Sequence, residues 1–375
     1  MLSQNNNALG IIFPNSYDST VPELVTERLM ASIPFAGRYR LIDFVLSGMS
    51  NSGINNVSII VRKNYHSLMD HLGTGSAWDM DRRRGGLNIV PPFAEKEVKI
   101  YNGRVEAISS ILNYLEAQKE RYAILCDTNT VANFDFKALI AEHEQSGADV
   151  TMVYQQAEIP DGLRNDNYTV SVGVDGRVTD ILFNDFRPGV QNLSMNIYIM
   201  ERTALIRLVK DAATRGMIYF ERDILAHNVN VLNIHAMEYT GYVARICDMK
   251  SYFDENMKLI NEDNLNALFP AKQPVYTKVR DDNPTRYLPG SKVTSSLVAD
   301  GCHIEGTVEN CVLFRGVTVK KGAVVKNCVL MQDTVVEAGA ELECVVTDKN
   351  VRITAGKKLA GTETFPVYVA KRHTV

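Results

Sequence analysis

Asp127 ends the apolar run Tyr122–Cys126, which has the length and composition of a buried strand. A carboxylate just beyond a strand faces the crevice where open α/β sheets bind their ligands. There it can hold a divalent cation or order a polar network. The run Arg82-Arg83-Arg84, followed by Gly85-Gly86, offers guanidinium groups to a phosphorylated effector or to a partner's acidic face. The plainer reading of such a run is a solvated loop. Arg315 stands near the C-terminus, where it would meet an effector, a neighbouring subunit or solvent at a corner of the chain. His303 could serve as a base for acyl transfer, but no acyl-carrier site accompanies it. The six cysteines, Cys126, Cys247, Cys302, Cys311, Cys328 and Cys344, form no C-x-x-C pair, so reduced and buried thiols are expected.

These side chains need elements to place them. Ala8–Phe13 reads as a buried strand, Leu41, Phe44, Val45 and Met49 recur at helical spacing, and Asn56–Val61 is strand-like again. Val105, Ile108, Leu112 and Leu115 predict one amphipathic helix, Phe136 to Glu144 another, and Ala148 to Tyr154 a further strand. Strand and helix in alternation imply a mostly parallel sheet covered on both faces.

Near Pro270 the pattern stops. Pro270, Pro274, Pro284 and Pro289 punctuate a stretch without periodicity, which reads as a linker over residues 271–290. This divides the chain into an α/β domain over 1–270 and a repeat domain over 291–375. In the repeats, Asn310-Cys311-Val312-Leu313-Phe314 returns as Asn327-Cys328-Val329-Leu330-Met331, and Gly322-Ala323 as Gly339-Ala340. The period is close to three hexapeptides, one turn of a parallel β-helix. A β-sandwich needs no such recurrence. The open end and flat face of a β-helix lead to an expectation of oligomers.

The chain has 375 residues, 45% hydrophobic and 22% charged, with a formal net charge of -4. Disorder is excluded by that balance, and it gives no reason to expect nucleic acid or an anionic membrane as partner. Met1 to Ala8 is polar with no positive cluster ahead of an apolar run, and no stretch reaches membrane-spanning length. The expected location is the cytoplasm.

One segment is too unusual to be generic. Pro34-Phe35-Ala36-Gly37-Arg38-Tyr39-Arg40-Leu41-Ile42-Asp43-Phe44 resembles the P-F-G-G-K-Y-R-L-I-D-F motif of the glucose-1-phosphate adenylyltransferase (ADP-glucose pyrophosphorylase) family. The likeness continues through Asn51-Ser52-Gly53-Ile54, Ser146 to Thr151, Ser194-Met195-Asn196-Ile197-Tyr198, Gly241-Tyr242 and Val312 to Val317, in order along nearly the whole chain. The resemblance implies a nucleotide-diphospho-sugar transferase (Rossmann-like) domain followed by a left-handed parallel β-helix. It also implies tetramers under effector control, and the joining of ATP to glucose 1-phosphate.

The family's chemistry is nevertheless damaged here. Nucleotidyl transfer concentrates negative charge, which amides, basic side chains and a carboxylate-held cation must offset. The family's glycine-rich loop is replaced by Phe13-Pro14-Asn15-Ser16-Tyr17-Asp18-Ser19-Thr20, without glycine or cation. Arg28 and Met30 align with R-A-K-P, so the arginine survives and the lysine does not. Gly103-Arg104-Val105-Glu106-Ala107 aligns with G-T-A-D-A and puts bulkier charged groups at a nucleotide-facing turn. Arg187 stands near the lysine of the sugar-phosphate motif. By this resemblance Arg28, Arg40 and Asp127 are catalytic remnants, while Gly103, Glu106, Arg187 and Ser194 are remnants of nucleotide and sugar binding. Asp127 and Asp223 would hold magnesium if nucleotide binding persists, and no cofactor is otherwise required. The chain is most similar to the D-type regulatory subunits that assemble with a catalytic paralogue; a working nucleotidyltransferase with altered residues is the alternative. Restoring glycines and an arginine between Phe13 and Thr20 is expected to leave turnover incomplete, because Met30 and the sugar-phosphate motif stay wrong. Full pyrophosphate release by that graft would overturn the account.

Overall fold

The computed structural model describes residues 7–92 and 101–375; the polar start, residues 1–6, lies outside them. A nine-stranded sheet forms the core of the first domain. Across it run Val178–Phe183, Tyr168–Val172, Val190–Glu201, Tyr122–Asp127, Ala8–Phe13, Asn56–Ile60 and Gly86–Val90. Ala8–Phe13 pairs in parallel with both neighbours, and residue by residue with Tyr122–Asp127. Phe13 and Asp127 therefore end side by side, at one edge of the crevice. Val190–Glu201 runs antiparallel beside Tyr122–Asp127 and also pairs Val150–Glu158, bringing Asn196 and Tyr198 to the same end.

Two apolar layers cover the sheet, one around Leu9, Ile11, Val105 and Leu125, the other around Ile12, Ile42, Val57 and Phe136. The helix expected from Val105 to Leu115 is instead two, Arg104–Ser109 and Leu112–Ala117. Ser109 and Ser110 hydroxyls donate back to the Val105 and Ala107 carbonyls at 2.7 Å each, a local competitor to the helical ladder. No helix of the described residues is long and apolar enough to cross a membrane.

The C-terminal region is the expected left-handed β-helix, three parallel sheets of five strands each. Through its middle coils the register repeats every 17 residues, and the Asn310 side-chain amide donates to the Asn327 side chain at 2.7 Å. Asn310, Asn327 and Cys344 turn the same corner with φ of 51, 49 and 49°. Asparagine tolerates that left-handed conformation better than most residues, which is why the motif keeps it. The Cys311 and Cys328 thiols are buried and donate to the Glu309 and Lys326 carbonyls at 3.1 and 2.9 Å, so they serve as inward packing groups. The first coil begins at Arg286–Tyr287, inside the segment read as a linker. Much of the rest of that segment is pinned to the α/β domain, the Tyr276 amide donating to Ser47 at 2.8 Å.

The two domains share an apolar seam that joins Phe35, Phe44, Tyr252 and Phe253 to Phe314, Val329, Met331 and Val346. At its edge Arg28 donates to both oxygens of Asp348 at 2.6 and 2.8 Å, with 3% and 4% of the two side chains exposed. Tyr368 adds a third hydrogen bond to that carboxylate at 2.9 Å. Removing one partner of such a pair strands the other charge in the interior. Asp348→Ala is expected to cost about 3–5 kcal/mol in denaturant unfolding, and R28M/D348L distinctly less. Equal losses for the two would mean that the seam does not depend on the charge pair.

Candidate functional site

The turn that follows the first strand is held by its own side chains rather than left open for a ligand. Asn15 donates to Asp18 at 2.6 Å and accepts the Arg62 amide at 3.0 Å, while Asp18 accepts the Met30 amide at 2.7 Å. The Ser16 hydroxyl donates to Asp127 at 2.7 Å, and Asn196 donates to the Tyr17 hydroxyl at 2.6 Å. Polar residues replace the family's glycines, and they use their hydrogen-bonding capacity on one another.

Opposite this turn, the helix Arg104–Ser109 starts at Gly103. A Cβ on Gly103 would lie 2.3 Å from the Ile218 carbonyl oxygen, so only glycine allows the two backbones this close. The Val105 amide donates to that same carbonyl at 3.1 Å. The contact aims Arg104 into the crevice. Its guanidinium lies over Phe13 and Tyr198, 5.2 and 5.9 Å from their ring centroids. It donates to Asp127 and forms an ion pair with Glu221. Glu221 comes from Phe220–Ala226, which is wound as a π-helix, a distortion common at functional sites.

Electrostatics follow from burial. Burial works against the Arg104 charge, but Asp127 together with Tyr198, Tyr17 and Tyr168 outweighs it and holds the guanidinium pKa above its usual value. Burial pushes the Asp127 carboxyl up, and Arg104 and Ser16 oppose that push. Asp166 is also raised, by burial and then by Asp127. Beside Arg104 the described residues, including Arg62, Tyr101 and Tyr219, enclose a cavity of about 140 Å³. Ordinary small-molecule sites occupy roughly 300–1,000 Å³.

The nucleotidyl transferase family matches residues 24–182, and the GlmU-like C-terminal hexapeptide family matches residues 279–364. Over 319 residues the chain is 36% identical to the glycogen biosynthesis protein GlgD of Bacillus subtilis (strain 168), covering 85% of this chain and 82% of that one. GlgD of Geobacillus stearothermophilus is 37% identical over 86% of this chain and 83% of its own. The glucose-1-phosphate adenylyltransferase of the same organism is 30% identical over 84% and 82%. The chain belongs to the glucose-1-phosphate adenylyltransferase family.

Several expected site residues stand elsewhere. Arg28 is the interdomain partner of Asp348 and does not reach the pocket cluster. Arg40 donates to the Ser67 carbonyl at 2.6 Å, and burial pushes its pKa down to about 10. Asp223 does not join Asp127: it accepts the Ile218 and Tyr219 amides at 2.9 Å each and pairs with Arg222, fixing the turn that presents Glu221. Arg187 is tied to Asp185, its Nε donating to both oxygens at 2.9 Å, which leaves a sugar phosphate to compete with an internal carboxylate. Glu106 accepts the Asn102 amide at 2.6 Å, and Ser194 accepts the Asn196 amide at 3.0 Å. Arg82, Arg83 and Arg84 precede the strand Gly86–Val90, which runs parallel to Asn56–Ile60, so they sit at the opposite end of the sheet from Asp127. Arg315 is not a surface corner: it is buried near Asp282, Arg38 and Arg280.

Three site residues were missed as site residues. Arg104 was visible only as a bulky substitute for a small residue, and Glu221 only as a neighbour of Asp223. Arg245 gave no signal at all; it is buried, donates to the Ser194 carbonyl at 3.0 Å and leaves Nη2 without a hydrogen bond. A magnesium ion does not fit this arrangement, because Arg104 already neutralises the two converging carboxylates. Gly103→Ala is expected to lower stability by about 1–3 kcal/mol, as backbone must move to admit the methyl group. An unchanged unfolding midpoint would mean that the helix start is freely adjustable.

Proposed function

We propose that this chain is a regulatory, non-catalytic subunit of glucose-1-phosphate adenylyltransferase in glycogen biosynthesis, acting with a catalytic paralogue that makes ADP-glucose. The observation that carries the reading is Arg104, anchored on Asp127 and Glu221 in the space where a nucleotide and its cation would have to lie. The self-satisfied turn at Asn15–Asp18 and the internally paired Arg187 add to it, since three separate parts of the chemistry are occupied. The names of the GlgD relatives agree with a place in glycogen biosynthesis.

The scaffold itself is sound. Four apolar cores and a regular β-helix are kept, as a chain selected for assembly requires. Strands of the first coil, Arg286–Tyr287, Lys292–Thr294 and Leu297–Val298, each pair on one side only, and such edges favour association into a hetero-oligomer, which we take to be a tetramer. A small anionic effector suits the domain seam, where burial and the charges of Arg40 and Arg28 hold the Lys349 ammonium well below its usual pKa. A bound anion would relieve that repulsion. His303 is exposed on the β-helix, and nothing around it supports acyl transfer.

The test is pyrophosphate release from ATP and glucose 1-phosphate with magnesium, run on this chain, on a catalytic paralogue and on the mixture. No release by this chain alone is expected, with altered turnover or effector response in the mixture. Robust release by the isolated chain would overturn the proposal.

A further inference from the structure

We propose that Arg104 is a tethered counter-cation standing in for a divalent ion, and that the pocket becomes a divalent-cation site when this side chain is shortened. The geometry of the contacts points that way. Some guanidinium groups in the molecule span both oxygens of one carboxylate: Arg28 reaches both of Asp348 through Nη2, and Arg187 both of Asp185. Arg104 instead touches one oxygen from each of two carboxylates on different elements, Oδ2 of Asp127 and Oε1 of Glu221. Its Nη1 meets the Glu221 Oε1, and both atoms are buried. Two carboxylates from different elements converge on one side chain, each offering a single oxygen, and a compact hard cation also takes single oxygens from separate carboxylates.

The surroundings agree. Asp127 and Glu221 are 1% and 5% exposed as side chains, so neither can be left without a counter-charge. The polar groups near the guanidinium include the hydroxyl oxygens of Tyr17, Tyr168 and Tyr198. The adjoining cavity of about 140 Å³ has room for the waters a small divalent ion retains. Truncation at Arg104 would add the volume of its side chain to that cavity and leave two uncompensated carboxylates facing it.

This inference rests on the pocket being a disabled nucleotidyl-transfer site, but it is read without turnover. Full-length wild type and Arg104→Ala would be titrated with Mn²⁺, following loss of the free-ion paramagnetic resonance signal, with thermal melting in parallel. Wild type is expected to take up no Mn²⁺ and to melt at an unchanged temperature. R104A is expected to bind Mn²⁺ with a Kd of roughly 0.1–1 mM, the range of weak carboxylate sites, and to melt higher as the ion is added. R104A/D127N should lose both effects. Arg104→Met keeps the apolar stem over Phe13 and Tyr198, and it answers the same question if R104A fails to fold. Equal Mn²⁺ uptake by wild type, or none by a folded R104A or R104M, would overturn the inference. Pyrophosphate release by wild type would instead remove the non-catalytic reading, so the two failures are distinct.

Discussion

A carboxylate buried at the end of a central strand is stable only with a counter-charge, and Asp127 finds one in the same chain. That requirement organises the pocket. It draws Arg104 inward, which fixes the start of its helix, which in turn needs Gly103 to approach Ile218. The segment after Ile218 is held by Asp223 so that Glu221 completes the charge balance. Together these groups fill the end of the crevice with internal hydrogen bonds and ion pairs. The change is concentrated in side chains; sheet order and strand register still present the crevice.

A second charge requirement operates at the seam between the domains. Arg28 gives up the pocket for Asp348, and the apolar residues around them make the two domains one packed body. The position of Arg40 and Lys349 beside this pair links the seam to whatever changes its charge.

Much of this was legible from the residues. Ala8–Phe13 and Tyr122–Asp127 were readable because buried parallel strands are continuous apolar runs, and the β-helix because its corner asparagines recur. The break between Arg104–Ser109 and Leu112–Ala117 was hidden, since apolar spacing carries across it while two serines divert the backbone. In the site, the loss of the glycine loop was plain, but its replacement was not. Spacing cannot tell that Arg104 turns inward while Arg82 turns outward, because that depends on which end of the sheet each occupies. Asp223 was misplaced for a related reason: its amide donors, Ile218 and Tyr219, lie just before the π-helix Phe220–Ala226, a winding that leaves no periodic mark.

The Arg28–Asp348 contact spans 320 residues of chain, and this separation has a meaning for synthesis. At about 5–20 residues per second, a ribosome leaves Arg28 without its carboxylate for roughly a quarter of a minute to a minute. Through that interval the α/β domain can collapse, but its seam carries an unanswered positive charge and an uncovered apolar edge. The late coils of the β-helix, which carry Val346 and Asp348, supply both the carboxylate and the apolar cover that close this seam.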